Sequence, residues 1–203
     1  MGRTQAFESA AVVRSARDAF WERGYEGTSV VDLERATGLN RSSLYHAFGS
    51  KRGLFDAAVA DYLESVVRPR LRALATGAPT VEALQAYFGG LGAAIETLPG
   101  SSPPYGCLLV NCAAGLAGHD DAARRVVDGY RAELAAALRR GLAAATTDAV
   151  VTPAELDART RVLESLSMGA MLLARVSPGE AVALLATARD HIASWCGRAV
   201  PSA

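Results

Sequence analysis

The sequence predicts an all-α fold, a three-helix helix-turn-helix unit followed by a helical bundle, about nine helices in all. Three observations carry that prediction. No stretch alternates apolar and polar residues with the period of two that a half-buried strand needs. Apolar residues instead recur three and four positions apart. The breaks between these periodic segments carry helix caps, glycine stops or proline-rich turns. Half of the 203 residues are apolar, so the chain can bury a sizeable core. Its longest apolar runs, residues 168–174 and 181–188, are far short of the roughly 18–20 residues a membrane span requires. With no apolar signal core at the N-terminus, the expected location is the cytoplasm.

Val13, Ala16 and Phe20 share one face of a first helix ending near Gly24, a residue suited to the left-handed conformation that stops helices. Ser29 with Asp32 three positions on fits a capping box, and Val30, Leu33 and Ala36 stripe the second helix, which should stop at Gly38. Asn40 is a good N-cap for a short third helix seated by Leu44 and Phe48 and ended by Gly49. Ser50 caps a fourth helix over residues 51–75 that docks through Leu54, Phe55 and Leu63, with a kink expected at Pro69. Further helices are expected over residues 80–97, 105–116, 119–145, 153–175 and 178–196. Turn chemistry separates them at residues 77–79 and 99–104, at Gly118 and at Ser177-Pro178.

The whole chain is electrically neutral, with 21 basic and 21 acidic residues, yet Arg35, Arg41, Lys51 and Arg52 fall in a stretch running to Phe55 with no acid. A helix-turn-helix reads DNA by laying its second helix in the major groove, where base edges differ, while neighbouring groups hold phosphates. Here that helix begins at Asn40, and Arg41, Ser42 and Ser43 form a first turn free of large apolar groups. The fork of Arg41 can pair with guanine. Tyr45, His46 and Lys51 fall on the flank where phosphates would pass, and the second helix offers amides to another phosphate at Thr28 and Ser29. The pattern alone is equally consistent with a solvated basic face on a helical domain, and Arg52 reads as an ordinary surface residue.

The resemblance becomes specific at Phe20-Trp-Glu-Arg-Gly-Tyr-Glu-Gly-Thr-Ser-Val-Val-Asp-Leu33 and Gly38-Leu-Asn-Arg-Ser-Ser-Leu-Tyr-His-Ala-Phe-Gly-Ser-Lys51. These segments resemble the N-terminal domain of the tetracycline-repressor (TetR) family of bacterial one-component regulators, through Gly24, Tyr25, Thr28, Gly38, Leu44, Tyr45, Phe48 and Lys51. The resemblance implies that the tyrosine and lysine hold phosphates. It also implies a homodimer built from the last two helices above a ligand cavity, with operator DNA and a small-molecule inducer as partners. The chain departs from the family pattern at Glu34, where a small residue is common, at Ala47, where an aromatic is frequent, and at Gly53, which replaces a common Glu at a helix cost of about 1 kcal/mol. The expected division is a DNA-binding domain over residues 1–52 and a ligand-sensing and dimerisation domain over residues 53–203.

Independently of the resemblance, Leu163, Leu166, Ala170 and Leu173 stripe the penultimate helix, where Gly169 and Ala170 permit close approach. Leu184, Leu185, Ala188, Ile192 and Trp195 stripe the last helix. A dimer seam and an intramolecular core are both open, since an apolar stripe does not name its partner. Gly89, Gly90 and Gly92 weaken the fifth helix and imply close packing or softness there. Candidate ligand-lining residues are Tyr87, Phe88, Cys107, Leu108, Asn111, Tyr130, Met168 and Met171, each of which taken singly reads first as plain core. Cys107, after a glycine at a helix start, is a candidate thiol sensor or a small buried hydrophobe. The three cysteines lack zinc-type spacing, and no cofactor or metal is expected. A transcriptional repressor with a pseudo-palindromic operator is therefore the leading expectation. A cysteine-dependent redox enzyme lacks a paired base and a cofactor motif, and a DNA-binding structural protein would not need the glycine-broken helix.

Overall fold

The computed structural model describes residues 2–74, 80–96, 106–146 and 151–196, with side chains from residue 9 onward except that of Ala114. All the regular structure among these residues is helical, in nine helices. They are α1 (Gly2–Gly27), α2 (Val30–Thr37), α3 (Arg41–Phe48) and α4, which runs Lys51–Tyr62, passes through a π-helical turn at Leu63–Val67 and continues as Arg68–Arg72. There follow α5 (Val81–Glu96), α6 (Leu108–Ala114), a 3-10 turn at Leu116–Gly118, α7 (Asp121–Ala145), α8 (Pro153–Leu173) and α9 (Pro178–Cys196). The turns expected at residues 77–79 and 99–104, and the expected helix ends at Ala75, Thr97 and Tyr105, lie outside the described residues. No described helix is long and apolar enough to cross a membrane.

The caps form as local chemistry dictates. Gly24 breaks α1 with φ 75°, Gly38 ends α2 with φ 72°, and Ser29 and Asp32 close a reciprocal capping box. Asn40 caps α3 and Ser50 caps α4 through their side-chain oxygens. Pro69 has no N–H, and its ring crowds the carbonyl four residues back, that of Ser65. The helix answers with the widened turn ahead of the proline rather than a break.

The chain forms two compact units, Met1–Arg68 with Cys107–Arg124, and Pro69–Gly106 with Arg125–Ala203. In the first, Ala16, Phe20, Leu33, Leu44, Leu54 and Phe55 form a closed core. Phe20 and Tyr25 both meet the Phe55 ring edge-on, at centroid distances of 5.1 and 4.9 Å. The first half of α4 and the α6 segment thus pack with the three N-terminal helices, so this unit runs past residue 52. Burial of Phe20, Leu33, Leu44, Leu54 and Phe55 contributes about 1.5–3 kcal/mol each, and two of these five side chains come from α4.

In the second unit, Leu84, Phe88, Leu134, Leu138, Leu142, Leu163, Ala188 and Ile192 are fully enclosed, and α9 packs on both α5 and α8. Of the α5 glycines, only Gly92 meets a neighbour, Leu185 on α9, whereas Gly89 and Gly90 face open space. Gly106 has φ +64°, and a Cβ there would lie 2.2 Å from the Met171 carbonyl oxygen, so no other residue fits.

The α8 and α9 stripes divide in a way the periodicity did not show. Leu163, Ala170, Leu185, Ala188 and Ile192 are buried inside the protomer and make its own core. The apolar surface left open on α8 lies a position round the helix, at Val162, Leu172 and, just past its end, Val176, which are 39, 48 and 80 % exposed.

Candidate nucleic-acid interface

The α3 helix buries one side chain fully and exposes most of its first turn. Leu44 is 2 % exposed in the unit core, while Asn40, Arg41, Ser42 and His46 are exposed and Ser43 and Tyr45 half-buried. Asn40 Oδ1 accepts the Ser43 amide at 2.9 Å, which fixes the first turn. The Arg41 guanidinium lies over the Tyr45 ring, 5.2 Å from its centroid. Lys51, half-buried at the start of α4, rests its ammonium over Tyr25 at 4.4 Å. Burial raises the Tyr25 phenol above its ordinary value, so that ring stays neutral. Asn40, Arg41, Ser42, Ser43, Tyr45, His46 and Lys51 therefore gather at α3 and its junction with α4.

Thr28 does not join them. It is fully buried, and its hydroxyl donates to the carbonyls of Gly24 at 2.6 Å and Ala19 at 3.4 Å, tying the break in α1 to the start of α2. Ser29 is exposed, but its amide is taken by the Asp32 carboxylate at 2.9 Å, and its hydroxyl bonds the same residue. The two amides that sequence reasoning offered to a phosphate are thus engaged, Thr28's with the Tyr25 carbonyl at 3.4 Å and Ser29's with Asp32. The reason is that a capping box fills the anion site of α2 with the chain's own carboxylate.

Two residues read from the sequence as peripheral or weakening are structural. Arg52 pairs with Asp56 on its own helix and reaches Asp120, 68 positions on, with both guanidinium nitrogens. Asp120 also accepts the Ala123 amide at 2.8 Å and so caps α7. The Arg52 hydrogen bond, followed by that amide, holds the Asp120 carboxyl down at about 2. Only the sequence separation hid this pair. Gly53, taken as a weak point of α4, sits where a Cβ would fall 2.1 Å from the Phe48 carbonyl oxygen. Glycine there is what lets the end of α3 press on the start of α4.

Glu34, the third departure, bridges the turn. Its backbone carbonyl accepts the Gly38 amide at 2.9 Å, and its carboxylate accepts the Arg41 amide at 2.6 Å.

The candidate sensor residues fall in both units. Cys107, Leu108 and Asn111 belong to the first, with Cys107 3 % exposed and Leu108 fully buried. Cys107 occupies the N-cap of α6 with no side-chain capping bond. Burial, more than the neighbouring Cys107, pushes the Cys112 thiol up to about 12, so it stays protonated at neutral pH. Tyr87, Phe88, Tyr130, Met168 and Met171 belong to the second unit. There the Tyr87 and Ser167 hydroxyls meet at 3.5 Å, and Glu164, largely enclosed, accepts Arg131 at 3.2 Å. All three cysteines are free thiols. Among the described residues no cluster of His, Cys, Asp and Glu could hold a metal.

An exposed polar α3 behind a left-handed Gly38, seated on a three-helix core, defines the class as helix-turn-helix DNA-binding regulators. The model of bacterial regulatory proteins of the tetR family matches residues 12–58. The chain is also 30 % identical over 179 residues to YezE, an uncharacterized HTH-type transcriptional regulator of Bacillus subtilis, covering 87 % of this chain and 91 % of that one. The chain belongs to the TetR family. ComR, a transcriptional repressor of Escherichia coli, is 33 % identical over 111 residues, 54 % of this chain and 51 % of its own. Among solved structures, a cysteine-substituted TetR-family regulator, CifR, bound to a 26-base-pair operator is 29 % identical. It covers 92 % of this chain and 95 % of its own with a TM-score of 0.72.

Proposed function

We propose that the chain is a one-component transcriptional repressor that binds a pseudo-palindromic operator as a homodimer and leaves it when an effector favours another conformation. The observation that carries the reading is α3, whose polar first turn is open to solvent while Leu44 alone seats it. Arg41 reads base edges and Asn40, Ser42 and Ser43 line the same edge, while Tyr45, His46 and Lys51 hold phosphates. Residues 1–52 supply DNA contact and residues 53–203 sensing and dimerisation.

The dimer forms through α8 and α9, with Val162, Leu172 and Val176 supplying the apolar part of the seam, because these are the large apolar side chains this region leaves open. The effector is a small molecule received in the second unit near Tyr87, Phe88, Tyr130, Met168 and Met171, or an electrophile that modifies Cys107 in the first. Either acts only through different affinity for, or reaction with, the two conformations. The cysteine-substituted form of CifR and the repressor ComR are the relatives that bear on this reading.

Replacing Arg41 and Lys51 singly with Ala tests the docking. Lys51→Ala should weaken binding about equally on all duplexes and reduce the salt slope by about one, whereas Arg41→Ala should relax preference at particular base pairs. Unchanged binding in both variants overturns the assignment.

A further inference from the structure

In this helix-turn-helix each helix that could present amides to a phosphate already holds a carboxylate of its own. Asp32 fills that place at α2. At α3 the acid comes from the preceding helix: Glu34 projects across the turn and accepts the Arg41 amide at 2.6 Å. The backbone of the same residue accepts the Gly38 amide at 2.9 Å, as the end of α2 requires of any residue there, so the carboxylate alone reaches across the turn whose pivot is Gly38 at φ 72°. The Ser43 amide is meanwhile satisfied by Asn40. Two of the amides that would make the start of α3 an anion site are therefore engaged, and a full negative charge stands beside them.

A helix N-terminus in a DNA groove ordinarily gains from a phosphate there, a gain indifferent to sequence. With Glu34 in place that gain becomes a repulsion. The Arg41 guanidinium is not drawn in to neutralise the acid, since it lies along the helix over Tyr45. The start of α3 is thus closed to the DNA backbone and left to the base edges that Arg41 and its neighbours face.

We propose that Glu34 is a positioning and specificity-determining residue of the DNA interface. Its carboxylate on the Arg41 amide ties the end of α2 to the start of α3 and so sets the angle between them, and its charge excludes phosphate from the start of the reading helix, so that only duplexes making base contacts bind well. This rests on the reading of α3 as the DNA-recognition helix. It predicts that Glu34 weakens binding to random DNA and strengthens binding to the operator, two effects of opposite sign.

The experiment uses the full-length protein and its Glu34→Ala and Glu34→Gln variants. Operators are first selected by the wild-type protein from a random duplex pool. Affinity is then measured for a selected duplex and for a scrambled one across a salt series, with circular dichroism and sedimentation confirming fold and assembly. Glu34→Ala should bind scrambled DNA several-fold more tightly with a salt slope steeper by about one, and the selected duplex several-fold more weakly. The preference should fall by about tenfold or more. Glu34→Gln keeps an oxygen for the Arg41 amide but not the charge. It should recover most of the operator affinity while keeping the tighter binding to scrambled DNA, a separation that a purely structural cap would not produce. A parallel loss on both duplexes in Glu34→Ala, with the preference unchanged and full recovery in Glu34→Gln, overturns the proposal. So does wild-type preference in both variants. If Glu34→Ala does not fold, unchanged binding of Glu34→Gln to scrambled DNA has the same force. A wild-type protein that selects no sequence at all overturns the DNA-recognition reading itself, a different failure.

Discussion

The contact beneath Gly53 gives the sharpest test of the structure. Alanine at an exposed helix position is normally favoured over glycine by about 1 kcal/mol, so helix propensity alone makes Gly53→Ala stabilising. A Cβ at this position would lie 2.1 Å from the Phe48 carbonyl oxygen, whereas ordinary contact begins at 3.4 Å, so α3 and α4 would have to part by about 1.3 Å. The obstacle is backbone and cannot rotate away as the end of a side chain would. The Ser50 capping bond to the Gly53 amide, 3.0 Å, lies inside the same turn and would be strained by any shift. Overpacking of this kind costs about 1–3 kcal/mol; set against the propensity gain, the variant should be less stable by up to about 2 kcal/mol. For a chain of this size that is a fall of up to about 8 °C in Tm, read by thermal denaturation at one fixed protein concentration. Because Lys51 opens α4 two residues earlier, the same shift should reduce DNA affinity and flatten its salt dependence. Gly90→Ala, which meets open space, is the control and should raise Tm. A Gly53→Ala protein more stable than the wild type, as helix propensity alone predicts, would refute the close approach of α3 and α4.

Gly106→Ala should destabilise more than an ordinary loop substitution, since it adds a 2.2 Å clash with the Met171 carbonyl to a positive φ; denaturant titration reads this directly. Asp120 is depressed below the ordinary carboxylate value of roughly 3.9. Its contribution to stability is therefore complete above about pH 4 and is lost as pH falls toward about 2, and an Asp120→Asn protein should lose the corresponding part of its acid unfolding. Val176→Glu, placed on the most exposed large apolar side chain described, should shift the protein from dimer to monomer in sedimentation velocity at micromolar concentration without altering its helicity. Cys107→Ser should retain DNA affinity, and if the electrophile route operates its release by electrophiles should disappear.

Nearly every local device was legible in the sequence. The capping box at Ser29 and Asp32, the left-handed Gly38, and the Asn40 and Ser50 caps follow from interactions within four residues. These were read correctly because donor and acceptor are neighbours in the chain. What escaped depends on how helices meet: the Arg52 pair with Asp120, the Phe48 carbonyl under Gly53, and the burial of Thr28 against the break in α1. The division of the α8 apolar surface was hidden for a different reason. That helix is apolar on more than one side, so period alone cannot say which residues face the protomer's own core: of the stripe read from the sequence, Leu163 and Ala170 are buried while Leu166 and Leu173 are half-buried. Glu34 was noticed as unusual, but its reach across the turn to Arg41 depends on the angle between two helices.

The charge puzzle of this neutral chain resolves into which cations have acids. Arg23 and Arg35 face Asp32 at 2.7 and 3.6 Å, and Arg52 is held by Asp56 and Asp120. Among the described residues Arg41 and Lys51 have no carboxylate partner and rest instead on tyrosine rings. An exposed cation–π contact contributes about 0.5–1 kcal/mol, enough to bias a long side chain and too little to compete with a phosphate or a guanine edge. Tyr25 and Tyr45 therefore bias the two cations without neutralising them, which in the proposed docking lowers the conformational entropy lost on binding. Local acid-free sequence was only part of the signal. The acids come from Asp32, just upstream, and from Asp56 and Asp120, downstream; they pair Arg23, Arg35 and Arg52 and spare Arg41 and Lys51, the two cations of the proposed DNA contact.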